Sequence, residues 1–423
     1  MSWLNQERLS VYPKIIVIMY LLVLGFLFVG DPRLINWQDS PVGGDFSHYW
    51  TAASLALNGE PAAVYDYSRL IAAMEKSFAM KIPLAWIYPP FFLLMILPLA
   101  LFPYLAALAV WLGVTLSGYL LVMRRLAPHP VTVWLALAFP ATLQNCIHGQ
   151  NGFLSAALLG GGLWLLDRNP GISGLLLGLL CYKPHLAALV PVALIAGRRW
   201  KALGAMAASI SGLIVGSYLI LGSAVWSAFF HNLPLSLKVL DTGVLSGNVA
   251  LYLQKMTTMF SAVLLAGGGV WAAKMAQSVV ALAAVAAVAW AWFREGPAAA
   301  RAAVLVLGIL LFTPYEFVYD LTILALPLAW LGWEGYNRGW LPGEKIFILL
   351  GWLTPLLAPL VAQATHVQLA PLILGVLMYL SLRRVALGSH GATLESMAGR
   401  LRKMSNAPLT DLPSAVQEAK ESP

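Results

Sequence analysis

The chain has 423 residues, of which 60% are hydrophobic and only 10% charged, with a net charge of +8. Soluble domains carry about 25% charged residues, so this composition excludes an ordinary soluble enzyme and points to the membrane class. The basic residues sit in pairs at the ends of apolar runs rather than in one patch, which argues against nucleic acid as a partner.

In chain order, the first apolar run, Ile15–Val29, follows Arg8 and Lys14 and has no small-residue cleavage site, so it reads as an uncleaved first span. A polar segment of roughly 55 residues follows and ends in Trp86-Ile87-Tyr88-Pro89-Pro90. The run Phe91–Tyr104 decides the topology. If it crosses, Arg124-Arg125 and every later basic cluster face outward. If it is interfacial or re-entrant, broken by Pro98 and Pro103, those clusters face inward. The second threading is adopted.

A crossing needs about 20 apolar residues, fewer where a helix is short and packed inside the protein. Further spans are expected at about 104–123, 131–147, 152–167, 171–182, 186–197, 203–222, 275–293, 301–315, 317–333, 344–362 and 366–382. The sequence thus predicts an all-α polytopic membrane protein with about twelve spans over residues 1–382 and both termini cytoplasmic. The inner face collects Arg8, Lys14, Arg168, Arg198-Arg199, Arg294, Arg338 and Arg383-Arg384. Residues 383–423 read as a largely disordered cytoplasmic tail whose basic start lies near anionic lipid. Cys146 and Cys181 fall in apolar runs and form no metal motif or disulfide framework.

Two long segments, 31–103 and 223–274, converge on the outer face with short turns near 148–151, 183–185 and 315–320. An ionisable group at membrane depth costs about 2.5–3.5 kcal/mol on insertion scales, so each needs a partner or a function. In Gly43-Gly44-Asp45-Phe46-Ser47-His48-Tyr49-Trp50, Asp45 either caps the helical pattern that runs to Asn58-Gly59 or serves as general base for a hydroxyl. His148-Gly149-Gln150-Asn151-Gly152 is either a capped turn or a set of amides for sugar hydroxyls. In Tyr182-Lys183-Pro184-His185 the lysine either snorkels or meets a phosphate. Glu316 and Asp320, flanking Tyr319, share one helical face or end a solvated loop. Trp86, Tyr88, Trp226, Phe229 and Phe230 line a lipid groove or form an interfacial belt.

These runs, together with Gly-Glu-Pro-Ala-Ala-Val-Tyr-Asp, Tyr-Pro-Pro, Gly-Gln-Asn-Gly and Tyr-Lys-Pro-His, resemble glycosyltransferase family 87 of the GT-C membrane glycosyltransferases, in order over roughly residues 40–330. The resemblance implies a GT-C fold, an active site on the outer face, Asp45 as catalytic base, a polyprenyl-phosphate sugar donor and inversion at the anomeric carbon. Mycobacterial members use polyprenyl-phosphate mannose and carry histidines near the outer end of a late span. Here Tyr315-Glu316-Phe317-Val318-Tyr319-Asp320 stands instead, which leaves sugar and acceptor open.

The expected function is therefore transfer of a mannose-like hexose to a hydroxyl of a lipid-linked or cell-envelope glycan at the outer face of a bacterial inner membrane. Asp45 would be the base, and Lys183 with His185 would meet the donor phosphate. His48, Tyr49, Tyr88, His148, Gln150, Asn151, Glu316, Tyr319 and Asp320 would hold sugar or acceptor. No nucleotide-binding glycine motif occurs, in keeping with a lipid-linked donor. No cofactor is firmly implied and no metal site is assigned, although the outer carboxylates leave a divalent ion open. The expected partners are the donor, the glycan or glycolipid acceptor and membrane lipid. A lipid transporter or flippase is the main alternative, and a glycolipid-binding scaffold the third. Transporters often carry internal repeats, and none is evident here.

Overall fold

The computed structural model describes residues 6–28, 41–78, 86–242 and 249–405, and among these residues there are helices and no β-strand. Helix α1 (Gln6–Phe28) stands at the periphery, with Leu21, Leu22 and Phe26 exposed by 63%, 69% and 65%. Such a surface suits hydrocarbon, where a helix satisfies its own backbone. The Tyr20 hydroxyl ties it to the body of the protein, donating to the Ala138 carbonyl at 3.1 Å.

Helices α2 (Phe46–Leu57) and α3 (Tyr67–Phe78) flank a 3-10 turn at Pro61–Tyr65. Next comes α4 (Pro90–Ile96), which runs into a 3-10 segment at Leu97–Leu101. This apolar stretch is shorter than the about 20 residues a straight crossing needs. Helix α5 (Tyr104–Leu126) then runs through the body of the protein. Helices α6 (Pro130–Leu137) and α7 (Pro140–His148) meet at a 52° bend. Pro140 lacks the N–H that would continue α6, so the bend has a local cause.

The middle of the chain holds α8 (Gly152–Leu165), α9 (Pro170–Leu179) with a 3-10 turn at Leu180–Tyr182, α10 (Pro184–Ala187), α11 (Val190–Ala196) and α12 (Trp200–Leu221). Helices α13 (Ser223–Thr242), α14 (Val249–Lys255) and α15 (Met259–Leu265) follow, then α16 (Val270–Phe293) and α17 (Ala298–Phe312). A 3-10 turn at Asp320–Leu324 leads into α18 (Ala325–Arg338), α19 (Glu344–Thr365) and α20 (Ala370–Ser405).

Among the described residues six helices (α1, α5, α12, α16, α19 and α20) are long and apolar enough to cross a membrane, or seven if the bent pair α6–α7 is one span. One expectation shifts. The span placed at 317–333 is a loop to Tyr319, the 3-10 turn, and α18 ending at Arg338. Pro314 explains the break, because it pushes Thr313 out of the helical region to φ −77°, ψ 135°. Helix α20 passes Leu382 and continues to Ser405. Residues 406–423, with 29–40, 79–85 and 243–248 of the two long segments, lie outside the described residues.

Small residues set the closest helix contacts, as in other membrane bundles. A Cβ on Gly174 of α9 would stand 2.6 Å from Ala205 Cβ and 2.8 Å from Met206 N of α12. One turn on, a Cβ on Gly178 would stand 2.5 Å from Ser209 Cβ. Gly160 of α8 is wedged similarly between Val122 and Leu326, each 2.7 Å from the added atom. Gly174→Val should therefore force α9 and α12 apart and cost about 1–3 kcal/mol, as overpacking usually does. Thermal unfolding of purified protein checks this; an unchanged midpoint would mean the two helices separate freely.

Helix α5 defines the two ends of the molecule. At its start the Tyr104 hydroxyl donates to the Val42 carbonyl at 2.5 Å. At its finish Arg125 lies 5.4 Å from the Trp164 ring. Its 23 residues separate these ends by about 34 Å at about 1.5 Å per residue.

Candidate functional site

The site is built at the Val42 end. Gly43 and Gly44 take positive φ values of 83° and 48°, turning the chain directly into α2. Gly149 closes α7 in the left-handed region at φ 56°. A side chain there would strike α2, with its Cβ 2.5 Å from Phe46 Cβ and 2.8 Å from Gly43 O. Trp111 of α5 fixes the same turn, its indole N–H donating to the Gly149 carbonyl at 3.0 Å. The two glycine turns thus press the start of α2 against the α7–α8 junction.

That contact determines what Asp45 does. It occupies the N-cap position of α2 yet makes no side-chain capping bond. Its Oδ2 instead accepts from Gln150 Nε2 at 2.7 Å, across 105 residues of sequence. Gln150 Oε1 accepts from the Tyr49 hydroxyl at 2.6 Å. Asn151 Nδ2 donates to the hydroxyls of Tyr49 and Tyr88, both at 2.9 Å, and these hydroxyls lie 2.9 Å apart. Asp45, Tyr49, Tyr88, Gln150 and Asn151 therefore form one continuous network. Tyr49 is 2% exposed and meets Phe46, Trp86, Tyr88, Phe92 and Trp111 edge-on or tilted, so its hydroxyl has little freedom.

A charged half adjoins this polar half. Lys183 Nζ and Asp320 Oδ1 form an ion pair at 2.5 Å, with both residues buried. The lysine also lies 5.5 Å from the Tyr319 ring, and the Tyr319 and His148 rings are 6.1 Å apart. Burial pulls the Lys183 ammonium down, and the charges facing it, Asp320 foremost, outweigh this and hold it above its ordinary range. Gly152 locks the halves together: a Cβ there would stand 2.6 Å from Asn145 Oδ1 and 2.7 Å from both Thr322 Oγ1 and the Tyr319 carbonyl.

Glu316 is fully buried, and neither carboxylate oxygen has a hydrogen-bond partner among the described residues. Its backbone is pinned, since its carbonyl accepts from Thr257 N at 2.9 Å and Val318 N donates to the Lys255 carbonyl at 3.0 Å. Burial pushes its carboxyl well above the ordinary range; Asp320 adds to this and Lys183 opposes it. The folded state keeps a proton that the unfolded chain releases near about pH 4.3. Stability from this group should therefore fall as pH rises from that value toward the folded one. Glu316→Gln mimics the protonated form, so its melting temperature should match the parent near pH 4 and exceed it increasingly toward pH 8. A constant offset across that range would show an ionised, partnered carboxylate.

The expected residues mostly meet. His48 is 5% exposed on α2, and His185 lies half-buried with Nε2 unpartnered, close enough to Lys183 and Asp320 for their charges to act on it. Two sets of these side chains hold partners that lie far away in sequence. Lys183 is ion-paired with Asp320. The Tyr49 and Tyr88 hydroxyls are committed to each other and to the amides. The aromatic set also divides. Trp86 is buried against Tyr49 and Phe92 behind the site, whereas Trp226, Phe229 and Phe230 form a separate cluster on α13 that reaches Phe91 and Tyr65.

Sequence reasoning missed three contributors. Asn145 Oδ1 accepts from Gly152 N at 2.8 Å. The Tyr182 hydroxyl bonds Ser155 at 2.7 Å and donates to the Asn151 carbonyl at 3.1 Å. Lys255, at the end of α14, lies near enough to His148 for its charge to act on that imidazole. It makes no ion pair among the described residues, so it is the less compensated cation of the site. No group of three or more His, Cys, Asp or Glu side chains with metal-holding geometry occurs among the described residues.

The arrangement offers a half-buried carboxylate, amides beside it, a buried carboxyl without a hydrogen-bond partner among the described residues and two lysines on one end of a helical bundle. The family model of glycosyltransferase family 87 matches residues 86–314, more than half of the chain. No curated protein and no solved structure matches it.

Proposed function

The chain belongs to glycosyltransferase family 87, and from that premise we propose that it moves a mannose-like hexose from a polyprenyl-phosphate donor to a glycan hydroxyl. The acceptor is a lipid-linked or cell-envelope glycan, and transfer occurs with inversion on the extracytoplasmic face of a bacterial inner membrane. The reading includes a GT-C arrangement of about twelve crossings with the N-terminus inside, and a cytoplasmic tail from residue 383. The observation that carries it is Asp45, a carboxylate that spends no bond on its own helix and is held by Gln150 at 2.7 Å.

In this reading Asp45 takes the proton of the acceptor hydroxyl as its oxygen attacks the anomeric carbon. The bond from that carbon to the phosphate oxygen breaks on the opposite face, and polyprenyl phosphate leaves with the electron pair. Lys255 meets the departing charge together with Lys183, whose remaining N–H groups stay available, and His185 assists. Asn151, His148, His48 and Tyr319 hold sugar hydroxyls. Protonated Glu316 donates to one of them. Tyr49 and Tyr88 position Gln150 and Asn151, and Asp320 orients Lys183.

Purified protein in lipid vesicles, given a polyprenyl-phosphate hexose labelled in the sugar and a lipid-linked glycan, should transfer label with inverted configuration. Transfer from a nucleotide sugar alone would end the proposal for the donor. Donor lipid crossing the bilayer with no transfer would favour the flippase alternative.

A further inference from the structure

The opposite end of the bundle holds an open-sided cavity of about 740 Å³ lined by α1, α6, α18 and α19 and the finish of α5. Its walls include Trp134, Trp333, Tyr336, Trp340 and Trp352. Four of its lining residues, Arg8, Lys14, His129 and Lys345, carry basic side chains, and none of the lining residues is acidic. Lys14 lies 5.7 Å from the Trp134 ring and Lys345 lies 5.4 Å from the Trp340 ring, so the cations stand at the aromatic rim. Two acids that neighbour lining residues in sequence are engaged by arginines: Glu344 bonds Arg384 at 2.5 Å, and Glu334 lies 3.4 Å from Arg338. His129 Nδ1 accepts from Val131 N at 3.2 Å, which leaves Nε2 as the donor nitrogen.

We propose that this cavity binds a phospholipid with an anionic headgroup, at the end of the molecule away from Asp45. Apolar and aromatic walls suit acyl chains, and Lys14 and Lys345, which make no ion pair among the described residues, suit a phosphate that carries net negative charge. A zwitterionic headgroup brings its own ammonium against Lys14 and Lys345, so the charge pattern selects the anionic class. The inference is independent of the sugar-transfer reading.

Two variants test it from different directions. Lys14→Gln with Lys345→Gln removes rim charge. Gly332→Phe fills the cavity, because Gly332 lines it and a Cβ there meets nothing within 4 Å. Native mass spectrometry of the full-length protein, after incubation with phosphatidylglycerol or phosphatidylcholine, reads lipid retention. The parent should retain phosphatidylglycerol about tenfold better than phosphatidylcholine. The double lysine variant should lose that preference, and Gly332→Phe should lose the retained lipid while its melting temperature in lipid-free detergent stays unchanged. Equal retention of the two lipids by the parent, or undiminished phosphatidylglycerol retention by Gly332→Phe, would overturn the proposal.

Discussion

Asp45→Asn should lower sugar transfer by about 10²–10⁴-fold, the range expected when a positioned general base is removed. The substitution keeps the shape of the side chain and an oxygen for Gln150, so the network of Tyr49, Tyr88, Gln150 and Asn151 should survive. It removes only the capacity to hold a proton at neutral pH. Because the side chain makes no capping bond, little helix stability should be lost, and the melting temperature should stay near that of the parent. Binding of a polyprenyl-phosphate sugar, measured by titration, should also persist. Undiminished transfer by the variant would remove Asp45 as the base. A collapse of thermal stability in parallel with activity would assign it a structural role instead.

The second large effect is expected at the buried pair. Lys183→Met leaves Asp320 as an uncompensated carboxylate at 2% exposure, and breaking such a pair from one side costs about 3–5 kcal/mol. Adding Asp320→Leu should recover most of that loss, since replacing both partners by apolar side chains is often neutral. The double variant separates stability from chemistry. If Lys183 also meets the leaving phosphate, the double variant should be stable and still impaired, with donor affinity reduced. Full activity in the stable double variant would confine the pair to a structural role and leave Lys255 as the sole cation for the phosphate.

Much of this site is legible in the sequence because a membrane chain spends polar residues sparingly. Gly43-Gly44-Asp45, Gln150-Asn151, Lys183 and Asp320 stand out against apolar neighbours, and the structure gathers them. Their pairing is not legible. Asp45 reaches Gln150 across 105 residues and Lys183 reaches Asp320 across 137, and no local spacing encodes either contact. The choice between cap and free carboxylate at Asp45 is likewise invisible in sequence, since both place an aspartate ahead of a helix. Lys255 escaped notice because it lies in a polar stretch where a lysine attracts no attention. Only the antiparallel contact between Met256 and Phe317 brings it to the site.

The long helices α5, α12, α16 and α19 follow directly from apolar length, with ends close to those expected. The displaced α18 shows where hydropathy misleads. Pro314 ends α17 at Phe312, and the chain passes through a loop and the 3-10 turn at Asp320–Leu324 before α18 begins.

The amide of Gln150 has one further implication. With its oxygen taking the Tyr49 hydrogen and its nitrogen donating to Asp45, the order of donors runs Tyr88 to Tyr49 to Gln150 to Asp45, a one-way wire that ends on Oδ2. Oδ1 receives nothing from this wire and keeps both of its lone pairs for an incoming hydrogen, whereas Oδ2 has one already taken.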